Sequence, residues 1–384
     1  MNKLFLSATL VVLSSPVLAG DYIPADGPPI KDQYIVVLKN DLPTAAAREA
    51  LLRNLVANKG KLKEVFQQVL NGGVVEMTQQ QAEAFARLPM VDSVEQDSLV
   101  WASTIQSPAV WGIDRVDQLN LPLNQTYTYN STGLGVSAYV IDTGIRIDHE
   151  EFSGGAFFGY DAVGDGKNGN DCNGHGTHVA GTIGGNTYGI AKNVTLYAVR
   201  VLDCNGSGTM SGVISGVDWV TQDAKNKKPA VANMSLGGGS SRALDTAVTN
   251  SINSGITYAV AAGNSNADAC RYSPAKVPAA ITVGATTLTD ERASYSNYGK
   301  CLDVFAPGSS ITSAWNTSST AITTISGTSM ATPHVAGVAA LYLETHIDAT
   351  PSDVRNAIVT AAVTNKVVKA GTGSPNRLLQ SFGW

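Results

Sequence analysis

The chain is short of charge, of cysteine and of long apolar runs, and each shortage excludes something. Only 15% of its 384 residues are charged, the formal net charge is −5, and no block of Lys or Arg occurs. A nucleic-acid binder needs a basic face to neutralise phosphates, so no nucleic-acid partner is expected. The N-terminal apolar stretch, Leu4 to Val12, falls short of the roughly 18 to 20 residues of a membrane span. Cysteine is absent before Cys172. Disorder is excluded by what is abundant: 43% of residues are apolar, enough for one large core plus a smaller domain.

At the N-terminus Lys3 precedes the apolar stretch, followed by Ser14, Ser15, Pro16 and a small-residue exit at Val17-Leu18-Ala19. This is the pattern of an export signal cleaved after Ala19. Residues 1–19 are expected to be removed, leaving a secreted, soluble chain with no membrane attachment. In an exported chain the four cysteines, Cys172, Cys204, Cys270 and Cys301, favour two disulfides over free thiols, with three pairings open. Sequential pairing would close two loops of about thirty residues, each contributing ~3 to 4 kcal/mol in the loop-entropy model. Cys172 also stands near His175 and His178, but an oxidised cysteine does not ligate zinc.

Residues 20–103 have no cysteine and few glycines, and read as strand, helix, strand, helix, strand. Tyr34 to Leu38 is a β-branched run; Thr44 to Ala57 is a helix candidate with Leu51, Leu52, Leu55 and Val56 on one face. Thr78 to Gln81 fits a capping box opening a helix through Leu88, stopped by Pro89, and Val91 to Glu95 reads as a strand. A small α+β domain is expected, with a junction near Trp101 to Ser107. Beyond it the apolar runs are too continuous for half-exposed strands: Val136 to Ile141, Val194 to Leu202, Ala230 to Leu236, Ile256 to Ala262 and Ala280 to Val283. Helices fit between them at Ser211 to Asp223, Arg242 to Asn253, Met330 to Glu344 and Ser352 to Ala362. The alternation predicts an α/β fold, a doubly wound, mostly parallel sheet over 104–384.

In such sheets, sites gather at the carboxyl ends of strands. Asp142, Ser235 and Asn264 end three of the expected strands, while the glycine-flanked elements Gly174 to Gly181 and Gly327 to His334 open helices. A serine nucleophile needs a neutral imidazole to take its proton and a carboxylate to fix that imidazole. Asp142, His175 and Ser329 supply those groups. Ser329 at a helix start has free N–H groups and the positive dipole end to favour an oxyanion, and the Asn264 carboxamide can add a donor. Taken singly, an Asp ending a strand is a turn former and a Ser before an apolar helix is an N-cap. His178, a turn after His175, points to another face; His149 and His334 are surface or supporting candidates without an evident partner. Met210 either borders the cleft or packs inside it, and Pro333 either starts or kinks the helix opened by Ser329.

Asp142-Thr-Gly144, His175-Gly-Thr-His-Val-Ala-Gly181 and Gly327-Thr-Ser-Met-Ala-Thr-Pro-His-Val-Ala-Gly337 resemble the three signatures of subtilisin-like serine proteases, in that family's order. The likeness runs through nearly all of 104–384 and is strongest to the proteinase K group, especially its aqualysin-like bacterial members. It implies Asp142 as orienting acid, His175 as general base and then acid, Ser329 as nucleophile and Asn264 as oxyanion residue. It implies that Ser235, Leu236, Gly237, Ala261, Ala262 and Gly263 line a roomy pocket for an apolar or aromatic residue before the scissile bond. Gly206, Ser207 and Gly208 would pair with the substrate backbone as an added strand. The cysteine positions resemble the aqualysin pair, which supports Cys172 with Cys204 and Cys270 with Cys301.

By the same resemblance the segment from about Gln33 to Val100 is an inhibitory pro-domain with a ferredoxin-like α+β fold, so that the enzyme is made as a self-processing zymogen cut near Ala102 to Thr104. A large parallel sheet folds slowly, which gives a departing template its use. No cofactor is implied for catalysis, but structural calcium is: Asp114, Asp117, Gln118 and Asn124 resemble one site, and Asp303 with the carbonyls of Pro278 and Ala280 a second. Hard oxygen ligands suit that ion. A third acidic loop, Asp161, Asp165 and Asp171, is expected to be solvated. The expected product is a monomeric, secreted serine endopeptidase acting on proteins and peptides; a binding protein that has lost turnover and an esterase are the alternatives.

Overall fold

The computed structural model describes residues 20–25, 29–39, 60–66, 68–98, 104–381 and 383–384, together with 46, 49, 50, 52 and 53. The expected export signal, residues 102 and 103 of the expected cleavage stretch and most of the expected helix 44–57 lie outside the described residues. The chain divides into two compact units, Met1–Val100 and Trp101–Trp384.

In the first unit the strands Asp21–Ile23, Pro29–Leu38, Lys61–Val65, Gly72–Glu76 and Val91–Ser98 form one sheet, in the order first, fifth, second, fourth, third. The helix Gln79–Ala86 starts with the capping box legible in its sequence: Thr78 Oγ1 accepts the Gln81 N–H and Gln81 Oε1 accepts the Thr78 N–H. Its Ala82, Phe85 and Ala86 pack with Val36, Val91 and Val94 of the sheet.

The second unit is built on nine strands: β1 (Ser137–Asp142), β2 (Ala156–Asp161), β3 (Thr195–Arg200), β4 (Ala230–Met234), β5 (Thr257–Ala261), β6 (Ile281–Thr286), β7 (Val304–Pro307), β8 (Val363–Thr364) and β9 (Arg377–Leu378). They lie in the order β8-β9-β7-β6-β5-β4-β1-β3-β2, every pair parallel except β8 with β9. Six helices accompany them: α1 (Trp111–Val116), α2 (His175–Gly184), α3 (Met210–Asp223), α4 (Arg242–Asn253), α5 (Thr328–Thr345) and α6 (Pro351–Ala361).

The continuous apolar runs have the cause expected of them. Along β1, Ala138 and Val140 point into a core shared with α1, α2, α5 and α6, while Tyr139 and Ile141 point into a second core shared with α3 and α4. Both faces are covered, so no residue of β1 needs to be polar until its end. At that end stands Asp142. There the winding reverses, because β1 has β3 on one side and β4 on the other, and a crevice opens at such a switch point.

Candidate active site

Asp142 is fully buried, and its Oδ1 receives both the Thr143 N–H and His175 Nδ1, each at 2.7 Å. His175 opens α2 directly after Gly174, whose φ is +114°. A side chain at Gly174 would lie 2.4 Å from the Trp315 ring, and one at Gly176 only 2.1 Å from the Gly144 carbonyl oxygen. The glycines flanking the imidazole are therefore demanded by close approach. Burial pushes the His175 value down, but the charge and hydrogen bond of Asp142, with the charge of Asp171, push it up by more, and it ends above 6.5.

Ser329 is the second residue of α5, and the expectation of a kink or a start at Pro333 is resolved by geometry. Pro333 lies inside α5 and has no N–H for the carbonyl four residues earlier, which is that of Ser329. That carbonyl accepts the Ser235 hydroxyl instead, at 2.8 Å, and the Ser329 hydroxyl donates to the Ser235 carbonyl at 3.0 Å. The nucleophile candidate is thereby tied to the residue that follows β4. Asn264 follows β5, its Oδ1 accepting the Thr328 N–H at 2.8 Å and the Thr328 hydroxyl at 2.9 Å. With its oxygen taken by the neighbour of Ser329, the amide nitrogen is the end left to donate. Thr328 was not singled out from sequence, where it reads only as a helix-start residue.

Two adjoining cavities meet at these groups. One of about 540 Å³ is lined by His175, Gly206, Ser207 and Gly208 with Met210 and Leu244. The other, about 280 Å³, is lined by Ala261, Ala262, Gly263, Asn264, Tyr272 and Ser329, and Leu236 and Gly237 border both. Ser235 lines the first. Met210 is 39% exposed and borders the cleft. A larger cavity, about 890 Å³, lies elsewhere, beside Lys228 and Ala230 at the amino end of β4.

Three of the other histidines are withdrawn from solvent. His178 is fully buried with Nε2 bonded to the Ile311 carbonyl, and burial pushes it down to about 4. Of the two expectations for His149 and His334, surface or supporting, burial removes the first, and each has a backbone partner. His149 is buried, with Nε2 on the Ala321 carbonyl and Nδ1 accepting the Glu151 N–H. His334 is buried within α5, with Nδ1 on the Met330 carbonyl, and burial pushes it down to about 4.

The disulfides join Cys172 to Cys204 and Cys270 to Cys301. The first links the turn before His175 to the loop leading into Gly206, and Asn173 Nδ2 adds a bond to the Cys204 carbonyl. The acidic loop ahead of Cys172 is solvated only in part: Asp165 is exposed and Asp161 half-buried, both holding the buried Arg200 guanidinium, while Asp171 is itself buried.

The two cation candidates part company. At the first, Gln118 Nε2 donates to Asp114 Oδ1 and Asn124 Oδ1, and Asp117 Oδ2 accepts the Thr128 N–H at 2.7 Å. Asp117 Oδ1 is buried with no hydrogen-bond partner among the described residues, beside a cavity of about 160 Å³. Burial pushes this carboxyl up to about 7. An unsatisfied buried carboxylate oxygen among oxygen donors fits a hard cation. The second candidate does not fit and is corrected: Asp303 Oδ1 is bonded to the Arg355 guanidinium and Oδ2 accepts the Thr282 N–H at 2.8 Å. A cation already stands there, so Pro278 and Ala280 have no ion to share with Asp303.

Comparison with known proteins gives the same assignment of family. The profile of the subtilase family matches residues 133–384, and that of peptidase inhibitor I9 matches residues 33–102. The chain is 57% identical to an extracellular serine proteinase of Thermus sp. (strain Rt41A), over 91% of its own length and 89% of that protein. It is 50% identical to alkaline serine exoprotease A of Vibrio alginolyticus, over 92% of its length and 68% of that protein. A crystal structure of a cold-adapted subtilisin-like serine proteinase superposes with a TM-score of 0.70 at 58% identity, covering 72% of this chain and all of that one. The chain belongs to the subtilase family of serine proteinases, and carries an I9 inhibitor unit ahead of the protease domain.

Proposed function

We propose that this extracellular serine endopeptidase cleaves peptide bonds through an acyl-enzyme, with Ser329 as nucleophile, His175 as base and then acid, and Asp142 as orienting acid. The single observation that carries the assignment is the 2.7 Å bond from His175 Nδ1 to the buried Asp142 carboxylate, at the mouth of a cleft that Ser329 also borders. That bond fixes the tautomer: Nδ1 keeps its hydrogen, and Nε2 has the lone pair. Substrate entry turns the Ser329 hydroxyl from the Ser235 carbonyl to Nε2, which takes its proton as Oγ attacks the scissile carbonyl. The oxyanion is met by the Ser329 N–H, in the unpaired first turn of α5, and by Asn264 Nδ2. The imidazolium then protonates the leaving amine, and a water activated by Nε2 releases the acid product.

The uncharged lining of the 280 Å³ cavity favours an apolar or aromatic side chain before the scissile bond, and Gly206 to Gly208 pair with the substrate backbone. The first unit acts as an inhibitor removed by self-processing near residues 102–104, leaving a monomer. Calcium, held by Asp114, Asp117, Gln118 and Asn124, braces the fold and takes no part in the reaction. The test is a serine-directed phosphonate followed by peptide mapping, with Ser329→Ala alongside. Labelling of Ser329, and an uncut, inactive precursor for the variant, are expected; normal maturation of Ser329→Ala refutes the assignment.

A further inference from the structure

The acidic loop before His175 contains one carboxylate used neither by the imidazole nor by Arg200. Asp171 is 5% exposed and accepts five hydrogen bonds. Its Oδ1 takes the Thr143 hydroxyl at 2.9 Å, the Asn173 N–H at 2.9 Å and the Gly174 N–H at 2.8 Å. Its Oδ2 takes the Thr177 N–H at 2.9 Å and the Thr177 hydroxyl at 2.6 Å. Thr143 Oγ1 in turn accepts the Gly176 N–H at 2.8 Å.

These partners fall into two groups. Thr143 directly follows Asp142 at the end of β1, whereas residues 173–177 lead into and open α2, which presents His175. One buried carboxylate therefore clasps the strand end that supplies the acid to the helix start that supplies the base. The two already lie in close contact: a side chain on Gly176 of α2 would lie 2.1 Å from the carbonyl oxygen of Gly144, two residues past the end of β1. A carboxylate at the first turn of a helix also meets the unpaired N–H groups and the positive dipole end.

Resting on the triad proposed above, we infer that Asp171 is a positioning residue for proton transfer. It sets the separation of β1 and α2 so that His175 Nδ1 stays on Asp142, and its charge supports the imidazolium. Around the imidazole, Asp142 and Asp171 act in the same direction, raising its proton affinity. His178, one turn along α2, is pushed down to about 4 by burial and is neutral. The Arg200 guanidinium, near the Cys172 sulfur, is engaged by Asp161 and Asp165.

The experiment compares Asp171→Asn, Thr143→Val and Thr143→Ser with the wild type on a peptide p-nitroanilide, each as mature enzyme obtained from the full chain. Asp171→Asn keeps the shape, loses the charge and turns one acceptor into a donor facing N–H groups. Its kcat should fall roughly ten- to a hundredfold, the cost of a small misplacement, with KM unchanged because Asp171 lines neither cavity. The acid limb of kcat/KM should move to lower pH, which a merely structural defect does not cause. Thr143→Val cuts the clasp but leaves the charge, so kcat falls while the limb stays; Thr143→Ser, which keeps the hydroxyl, restores kcat. Should Asp171→Asn yield no folded enzyme, the Thr143 pair decides: wild-type kcat in Thr143→Val overturns the inference. Wild-type kcat and limb in folded Asp171→Asn overturn it as well. His175→Ala tells the two levels apart. Its inactivity beside a wild-type-like Asp171→Asn removes only the positioning role, whereas hydrolysis surviving in His175→Ala removes the triad beneath it.

Discussion

Asp117→Asn should stabilise the metal-free enzyme at alkaline pH, the reverse of what loss of a buried, hydrogen-bonded aspartate ordinarily does. The carboxyl is 6% exposed, and burial lifts it from 3.8 to about 7, the Asp114 charge adding to this and the Thr128 N–H opposing it. A folded value above the unfolded one means that the native chain holds this proton more tightly. The associated stability is complete below about pH 4 and is lost as the pH rises through about 7. About three units at ~1.4 kcal/mol each make the loss about 4 kcal/mol above neutrality. The variant keeps an oxygen for the Thr128 N–H and has no charge to desolvate. In EDTA near pH 9 it should melt about 10 °C above the wild type, with the two converging near pH 4. Scanning calorimetry of phosphonate-inhibited enzyme, in which self-digestion is silenced, reads this directly. Calcium should close most of the gap without reversing it, because a cation on the charged carboxylate adds ~2.7 kcal/mol at about a hundredfold excess over Kd against a deficit of about 4, and the variant forfeits it. A variant no more stable than the wild type in EDTA at alkaline pH would falsify the buried-carboxylate reasoning. Wild-type melting that ignores calcium takes the ion away from this loop.

Three further outcomes follow from the cleft. His175 must be neutral to act as base, and its value lies above 6.5, so kcat/KM on a peptide anilide should rise with pH through a limb above that value; Asp142→Asn should lower the limb along with the rate, and a flat profile from about pH 5 to 9 is incompatible with an imidazole base. Asn264→Ala should lower kcat by about 10² to 10³ with little change in KM, the magnitude reported for the corresponding donor in subtilisin, a member of this family; an equal rise in KM at constant kcat would instead mark Asn264 as a ground-state binder. Anilides with Phe or Leu before the scissile bond should exceed those with Asp or Lys by roughly ten- to a hundredfold in kcat/KM, from ~1.5 to 3 kcal/mol of side-chain burial, and equal rates would show that the 280 Å³ cavity is not the specificity pocket.

The central strands were legible because burial on both faces disfavours polar residues. β1, β4, β5 and β6 each appear as mostly apolar runs, interrupted by Asn233, Thr257 and Thr282, and the helices between them differ from their expected bounds by at most two residues at either end. The edge of the sheet was not legible. β2 reads Ala-Phe-Phe-Gly-Tyr-Asp with Phe157 and Phe158 each 47% exposed, so no consistent burial period is written into it. β7 is four residues ending in Pro307, and in the first unit Lys61–Val65 carries charge at Lys61, Lys63 and Glu64, as an exposed edge strand does. The acid, base and nucleophile candidates could be found because each is local, a polar residue at a strand end or a helix start. Asp303 with Arg355 could not, since the pair is separated by 52 residues and only packing brings them together. Sequence likewise does not say which residues of an acidic loop face water: Asp161, Asp165 and Asp171 look alike along the chain, but Asp165 is exposed while it clasps a buried guanidinium with Asp161, and Asp171 is enclosed.

The clearest case of a role invisible along the chain is Pro333. A proline in the interior of a helix should cost about 3 kcal/mol, because it removes one hydrogen bond and strands a carbonyl. Here the stranded carbonyl belongs to Ser329, and the Ser235 hydroxyl fills the gap from just past the end of β4, at a sequence separation of 94. The same two residues exchange a second bond in the opposite sense. A residue that by itself weakens α5 thus frees an acceptor with which Ser235, on the wall of the 540 Å³ cavity, holds the start of that helix. Replacing Pro333 by alanine would restore an N–H that competes with Ser235 for the Ser329 carbonyl. The helix then gains a bond of about 1 kcal/mol, while the grip on the nucleophile loosens. Higher thermal stability with lower kcat in Pro333→Ala is the expected result; a variant that is both more stable and fully active would mean that the Ser235 bond contributes nothing to holding Ser329.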